Sequence, residues 1–144
     1  TNLSIAAGVC IAVGVAYNRG SIMTESLCDQ CPGMCCRYIA LPLDEPADRE
    51  SFEEIRWFLM HEGVSVFVTD GQWYLSVATA CKHLDDKGMC DAYATRPAIC
   101  RKYSSGNCDY HGGEYEYQLF FTHAQQLADY AAEKLGDAWT APTK

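Results

Sequence analysis

The sequence is poor in positive charge. Its 11 lysine and arginine residues are outnumbered by 19 acidic residues, which gives a formal net charge of −8. Such a chain repels a polyanion on average, and ordinary nucleic-acid binding needs clustered lysine and arginine side chains that release counterions. We therefore expect no nucleic-acid partner.

The sequence also lacks a membrane-length apolar run and the common catalytic motifs. Its most apolar stretch, residues 3–17, is shorter than the ~20 residues that a transmembrane helix needs. That stretch has neither the basic start nor the small-residue cleavage site of a signal peptide. No phosphate-cradling loop, Ser-His-Asp arrangement or HExxH helix is present. These absences favour a binding role over catalysis, and no catalytic residue is predicted.

The length and the apolar content are those of a folded domain. A chain of 144 residues is typical of a small single domain, and a hydrophobic content of 49% argues against disorder. We expect an apolar N-terminal segment, 1–22, that is appended or variable, a cysteine-rich metal-chelating domain, 23–136, and a C-terminal tail, 137–144. The alternative for residues 1–22 is an apolar element packed on the core or the end of a membrane anchor. We expect any membrane association only there.

Cysteine is the residue that the chain has in excess. Nine cysteines are present, and they are grouped: Cys10 stands alone, four fall within nine residues (Cys28, Cys31, Cys35, Cys36), and four fall within 28 (Cys81, Cys90, Cys100, Cys108). A thiol-rich chain with no secretory signal fits a reducing compartment, where cysteines serve metal or redox chemistry rather than disulfides. We therefore expect a cytoplasmic protein.

The spacing of the first group is typical of metal ligands. In Cys28-Asp-Gln-Cys31 a tight turn can aim two sulfurs at one point, as a tetrahedral ion at ~2.3 Å requires. Pro32-Gly33 supplies a turn toward Cys35 and Cys36. The ligands could form one closed four-thiolate site, two four-coordinate sites or an iron–sulfur cluster, and spacing alone leaves their partition open. Six of the 11 basic residues flank the cysteines and would stabilise thiolates: Arg37, Lys82, Lys87, Arg96, Arg101 and Lys102.

Two motifs together resemble a known family. The string Cys28-Asp-Gln-Cys31-Pro-Gly-Met-Cys35-Cys36-Arg37 resembles the first block of the YkgJ-like CxxCxxCC family, with three residues rather than two between Cys31 and Cys35. Cys81-Lys-His-Leu84, Gly88-Met-Cys90-Asp-Ala-Tyr93 and Arg96-Pro97-Ala-Ile-Cys100-Arg101 resemble the second block. The resemblance covers roughly residues 23–108. It implies chelation of zinc or iron by Cys28, Cys31, Cys35, Cys36, Cys81, Cys90 and Cys100, with Cys108 as an addition.

The residue patterns predict an α+β fold with the cysteines on irregular backbone. Residues 38–43 form a short strand, and 64–68 and 73–77 form a hairpin around Asp70-Gly71, because glycine accepts the positive φ of a type I′ turn. Two main helices are predicted. Residues 50–62 follow an N-cap at Asp44 and stop at Gly63, and residues 114–135 carry an apolar stripe from Phe120 to Leu135 and stop at Gly136. Residues 81–113 are loop-like, with metal-binding cysteines.

The sequence thus predicts a metal-binding protein that chelates zinc or iron through two cysteine clusters, in a structural or metal-handling role. We favour zinc, because closed thiolate sites satisfy it. Two alternatives stay open: an iron–sulfur or iron-dependent electron-transfer or oxidoreductase protein, and a disulfide-stapled interaction subunit of a membrane complex. His83 and His111 lie at spacings seen in mixed Cys/His sites, but with eight cysteines available we expect loop histidines. The aromatic residues Trp57, Trp73, Tyr93 and Tyr103 are expected in the core. The sequence does not identify a protein partner.

Overall fold

The computed structural model describes residues 32–102 and 117–142. These residues form two compact units. The first, named the sheet unit here, comprises residues 39–78 and 117–142. The second, the cysteine unit, comprises residues 32–38 and 79–102. The predictions for residues 1–22, Tyr103 and His111 lie outside the described residues.

Four strands and four helices make up the described chain, so the predicted α+β class is confirmed. The strands are β1 (Tyr38–Leu43), β2 (Val64–Thr69), β3 (Gln72–Ala78) and β4 (Leu119–Phe121). The helices are α1 (Arg49–Phe58), α2 (Ala98–Arg101), α3 (Ala124–Leu135) and α4 (Asp137–Thr140). Only α1, with 10 residues, and α3, with 12, are longer than a single helical turn. None of the helices in the described ranges is long and apolar enough to cross a membrane.

The sheet is built around the predicted hairpin. Its strand order is β1-β3-β2-β4, and β2 pairs antiparallel with β3 from Val64↔Val77 to Thr69↔Gln72. The two residues between these strands, Asp70 and Gly71, have φ values of 49° and 74°. Positive φ at both central positions is the conformation of a type I′ turn, whose twist matches that of the strands it joins. The hairpin prediction is confirmed, together with the strand at Tyr38–Leu43.

The core of the sheet unit lies between one face of the sheet and the two longer helices. It contains Val66, Val68, Trp73 and Phe121 from the strands and Phe52, Ile55, Leu127 and Ala131 from the helices. Phe52 meets the indole of Trp73 edge-on, with ring centroids 6.4 Å apart. Each large apolar side chain removed from water in this way stabilises the fold by roughly 1.5–3 kcal/mol.

The predicted start and end of the first helix are wrong. The N-cap is Asp48, not Asp44: the Asp48 carboxylate accepts from the Ser51 backbone N–H at 2.9 Å, and the Ser51 hydroxyl accepts from the Asp48 N–H at 3.1 Å. This reciprocal capping box satisfies two backbone N–H groups, those of Asp48 and Ser51. The helix ends at Phe58, and Gly63 has its positive φ of 72° at the approach to β2 instead.

The predicted second helix begins too early. Residues 119–121 form β4, which pairs antiparallel with β2 through Val66↔Phe121 and Val68↔Leu119. The helix itself starts at Ala124, so Phe120 lies on a strand and not on the helical stripe. Pairing with a distant strand overrides the local helical pattern here. The predicted end at Gly136 is confirmed, since its φ of 54° is in the region that favours glycine.

Two of the aromatic residues expected in the core are exposed instead. Trp73 is 3% exposed, as predicted, but Trp57 is 56% exposed and Tyr93 is 52% exposed. Trp57 lies on α1 off the face that buries Phe52 and Ile55. Tyr93 lies in the cysteine unit, where its ring packs against the guanidinium of Arg96.

Candidate metal centre

The two cysteine blocks are joined through their backbones. The N–H of Cys81 donates to the carbonyl of Cys36 at 2.6 Å, and the N–H of Thr79 donates to the carbonyl of Arg37 at 2.9 Å. These two bonds place the start of the second block alongside the end of the first. Sulfur atoms from sequence-distant cysteines are thereby brought into one part of the fold.

The first block enters this arrangement through a tight turn at Gly33. Gly33 has φ 72° and ψ 40°, and its carbonyl accepts from the N–H of Cys36 at 3.0 Å to start a 3-10 turn over Met34–Cys36. A Cβ at Gly33 would lie 2.6 Å from Cδ1 of Leu84 and 3.2 Å from the Gly88 carbonyl oxygen. Glycine is therefore required both by the positive φ and by the close approach of the second block.

The loop between Cys81 and Cys90 is held by a short internal ladder. Leu84 and Cys90 form an antiparallel bridge, and the N–H of Asp85 donates to the Met89 carbonyl at 2.8 Å. The Asp85 carboxylate accepts from the N–H groups of Lys87 and Met89, each at 2.8 Å. Asp85 therefore stabilises the turn itself, and Cys90 is part of the ladder that the turn closes, with Cys81 just before it.

The segment before Cys100 is fixed by two arginine side chains. Nε and Nη2 of Arg101 donate to the carbonyls of Arg96 and Ala94 at 3.1 Å and 3.0 Å. The guanidinium of Arg96 lies 3.7 Å from the ring centroid of Tyr93, a cation–π contact that explains how the exposed tyrosine is packed. Pro97 then precedes α2, which carries Cys100.

Five of the eight predicted ligands are described, and of these Cys36, Cys81, Cys90 and Cys100 are free thiols. Cys35, Cys36 and Cys90 are half-buried, whereas Cys81 and Cys100 are exposed. Burial raises the pKa of the Cys36 thiol, a hydrogen bond from Cys35 lowers it, and negative charge on Cys81, Cys90 and Cys100 raises it. A cation beside Cys36 would oppose this effect, because positive charge favours the thiolate.

The donor set fits zinc or iron in its chemistry. Thiolate sulfur is a soft ligand, which suits zinc and iron–sulfur centres and not the hard cations magnesium and calcium. Within residues 32–102 and 117–142, no three His, Cys, Asp or Glu side chains form a group that could hold an ion by themselves. Three further predicted ligands, Cys28, Cys31 and Cys108, lie outside the described residues.

The described residues of the cysteine unit contain more basic than acidic side chains. They include six basic side chains and three acidic ones, whereas the described sheet unit has three basic and eleven acidic side chains. A divalent ion with four thiolates has a net charge of −2, so neighbouring cations lower the cost of deprotonating the thiols.

Sequence reasoning missed one polar pair in this unit. Nδ1 of His83 and Oδ1 of Asp91 are 2.7 Å apart, and the backbone N–H of Asp91 donates to the His83 carbonyl at 2.9 Å. His83 was expected to be an isolated loop histidine, and Asp91 was given no role. In the sequence, only the spacing of His83 from Cys81 draws attention to this histidine. Its pairing with Asp91 cannot be predicted locally, because the Leu84–Cys90 bridge is what places Asp91 opposite His83.

These features define a small α+β protein with a cysteine-rich unit. A model of the CxxCxxCC family, described as "Putative zinc- or iron-chelating domain", matches residues 27–127. The match spans well over half of the chain and contains all eight predicted ligand cysteines, and the chain belongs to the CxxCxxCC family. The resemblance found in the sequence is confirmed. No curated protein and no solved structure matches the chain.

Proposed function

We propose that the protein binds a zinc ion through thiolates from both cysteine blocks, with a four-sulfur ligand set drawn from the eight predicted cysteines. The 2.6 Å hydrogen bond from the Cys81 N–H to the Cys36 carbonyl carries the proposal. Because that bond aligns the two blocks, one ion can reach sulfurs from both. Eight cysteines are enough for a second four-coordinate site as well.

The surrounding residues prepare the unit for such an ion. Gly33 permits the close approach of the blocks, and the Asp85 turn fixes the loop that separates Cys81 from Cys90. Zinc supplies four strong bonds to sulfur and no redox chemistry, which suits a structural or metal-handling role. Since the ligands come from distant parts of the chain, metal binding is coupled to folding of the cysteine unit.

The test is metal analysis of protein purified without oxygen, referenced to its thiol count. We expect zinc at a whole-number ratio to the chain, and we expect Cys81→Ser and Cys100→Ser each to lower that ratio. The matched control is Cys10→Ser, because Cys10 lies outside both cysteine blocks and outside the family match. This variant should keep the full zinc content.

Three other results would contradict the zinc proposal. Iron in place of zinc, with broad absorbance near about 400 nm, would support the iron–sulfur alternative. Too few titratable thiols in the unfolded, unreduced chain would support the disulfide-stapled alternative. Retention of all zinc by both block variants would show that the ion is held elsewhere.

A further inference from the structure

Trp57 lies on the side of α1 where a surface helix normally has a polar residue. The helix buries Phe52 and Ile55, and the spacing of Trp57 from both points it away from that buried face. Trp57 is 56% exposed, and Met60, just past the end of the helix, is 65% exposed. These are the two most exposed large apolar residues in the part of the chain that the structure describes. Such a pair marks an interaction surface, because burying it against a partner is favourable.

Neighbouring rings hold the exposed indole of Trp57 in place. Its centroid lies 5.3 Å from that of Phe58 and 5.2 Å from that of His61, which it meets at an interplanar angle of 86°. Nδ1 of His61 in turn lies 3.0 Å from the Trp57 carbonyl oxygen. A side chain that is already ordered loses less conformational freedom when a partner covers it, and this favours binding.

The surface around Trp57 is acidic. Glu50 and Glu54 are exposed and precede Trp57 by two turns and one turn of the helix, on the same side. Neither glutamate forms an ion pair within the described ranges. Arg56, the nearest basic residue in sequence, pairs with Glu53 at 2.8 Å. Negative charge next to the indole is therefore left for a partner to neutralise.

This charge distinguishes between possible partners. A two-fold dimer through this face would place Glu50 and Glu54 of one copy opposite the same residues of the other, and like charges across an interface repel. An anionic membrane would meet the same repulsion. A protein segment with lysine or arginine around an apolar side chain is complementary, because its cations can pair with the glutamates or lie over the indole.

We propose that the outer face of α1, formed by Glu50, Glu54, Trp57 and Met60, docks a positively charged segment of another protein that carries an apolar anchor. Trp57 supplies the central buried contact, and the flexible Met60 adapts to the shape of the anchor. The two glutamates speed the approach of the segment and orient it. All four residues belong to the sheet unit, and none of them is a predicted metal ligand.

The test titrates the full-length chain with a synthetic amphipathic helix that has leucines on one face and lysines on the other. Binding is measured by isothermal titration calorimetry at low and at physiological salt. We expect Trp57→Ala to weaken binding roughly tenfold or more, as the loss of a central interface residue does, and Trp57→Phe to recover part of that loss. The matched control is Leu41→Ala: Leu41 is 47% exposed on β1, and its replacement should leave binding unchanged.

A second set of variants tests the charge. The double replacement Glu50→Gln, Glu54→Gln should weaken binding at low salt by roughly fivefold and reduce its salt dependence, because exposed charge pairs are weak and screened. The control is Glu133→Gln, which removes an exposed acidic residue of α3 and should have no such effect. Circular dichroism checks that each variant keeps the helical signal of the original chain.

Several outcomes would overturn the proposal. One is failure of the original chain to bind the lysine peptide, or equal binding of a peptide with glutamates in place of the lysines. Another is equal affinity of Trp57→Ala and the original chain. Self-association of the original chain that Trp57→Ala abolishes would show that a second copy covers this face. Binding to neutral phosphatidylcholine vesicles through Trp57, without binding of the peptide, would assign the face to a membrane instead.

Discussion

Gly33 and Leu84 are packed so closely that the smallest side chain at position 33 would collide with the leucine. A Cβ there would lie 2.6 Å from Leu84 Cδ1, and the Gly33 φ of 72° is one that other residues adopt only with strain. This contact is the point at which the first cysteine block meets the second. The positive φ of Gly33 is therefore needed for the close approach of the two cysteine blocks.

Gly33→Ala should destabilise the protein and weaken its metal binding. The positive φ alone costs roughly 1–2 kcal/mol, and the Gly88 carbonyl oxygen, 3.2 Å from the added Cβ, must also give way by a few tenths of an ångström. The measurements are urea unfolding and zinc affinity. The matched control is Gly71→Ala, because Gly71 has φ 74° and no atom within 4 Å of its built Cβ. Equal losses of zinc affinity in both variants would contradict the proposed role of the contact.

Chelation of the metal should lower the stability of the chain. Since the ligands come from both blocks, removing the ion removes a cross-link of the cysteine unit, at a cost of several kcal/mol. The measurement is the midpoint of thermal unfolding before and after complete chelation under reducing conditions. An unchanged midpoint would show that the ion does not join the two blocks.

The N-cap of α1 predicts a stability that depends on pH. The backbone N–H and then the hydroxyl of Ser51 hold the pKa of Asp48 below its ordinary value of 3.8. A lowered pKa means that the cap contributes stability above the ordinary value and that this contribution is lost as the pH falls through the lower, folded-state pKa. Asp48→Ala should therefore lower the melting temperature at neutral pH and have less effect in strong acid.

The control for this cap is Asp44→Ala. Asp44 is the residue that sequence reasoning chose as the N-cap, and it makes no capping contact in the described structure. Replacing it should leave the melting temperature nearly unchanged. Equal losses from both replacements would mean that the effect of Asp48 comes from general charge and not from the capping box.

Ser65 and Ser76 face each other across β2 and β3 with both hydroxyls buried and without hydrogen-bond partners. A buried hydroxyl without a partner lowers stability by about 1–3 kcal/mol. The double replacement Ser65→Ala, Ser76→Ala should therefore raise the free energy of unfolding, by about 1–2 kcal/mol. Urea unfolding provides the measurement, and a lower free energy would contradict the prediction.

A partnered hydroxyl gives the opposite expectation. Ser51 accepts from the Asp48 N–H at 3.1 Å and donates to the Asp48 carboxylate at 2.7 Å. Ser51→Ala should lower the free energy of unfolding by about 1 kcal/mol, as the loss of a cap does. Both experiments replace serine with alanine, but the Ser51 hydroxyl is hydrogen-bonded at a helix start, whereas the buried hydroxyls of Ser65 and Ser76 have no partner.

The features that could be predicted from the sequence are those with local causes. The hairpin at Asp70-Gly71 follows from two adjacent residues, and the Gly136 stop follows from one. The family resemblance follows from the linear spacing of the cysteines and is equally local. Each of these features is determined by residues that are close together in the sequence.

The features that could not be predicted depend on residues far apart in the chain. Residues 119–121 form a strand because β2 offers a pairing edge, and no local pattern shows this. Asp44 and Asp48 are both suitable caps, and the reciprocal bonds of Ser51 decide between them. The His83–Asp91 pair exists because the loop ladder brings two exposed side chains together.

The most direct test of the central claim is zinc-edge X-ray absorption on the protein as purified without oxygen. The proposed ligand set predicts a first coordination sphere of four sulfur atoms at about 2.3 Å, with one sulfur fewer in Cys81→Ser. A sphere dominated by oxygen or nitrogen, or one that is unchanged in Cys81→Ser, would contradict a shared thiolate site between the two cysteine blocks.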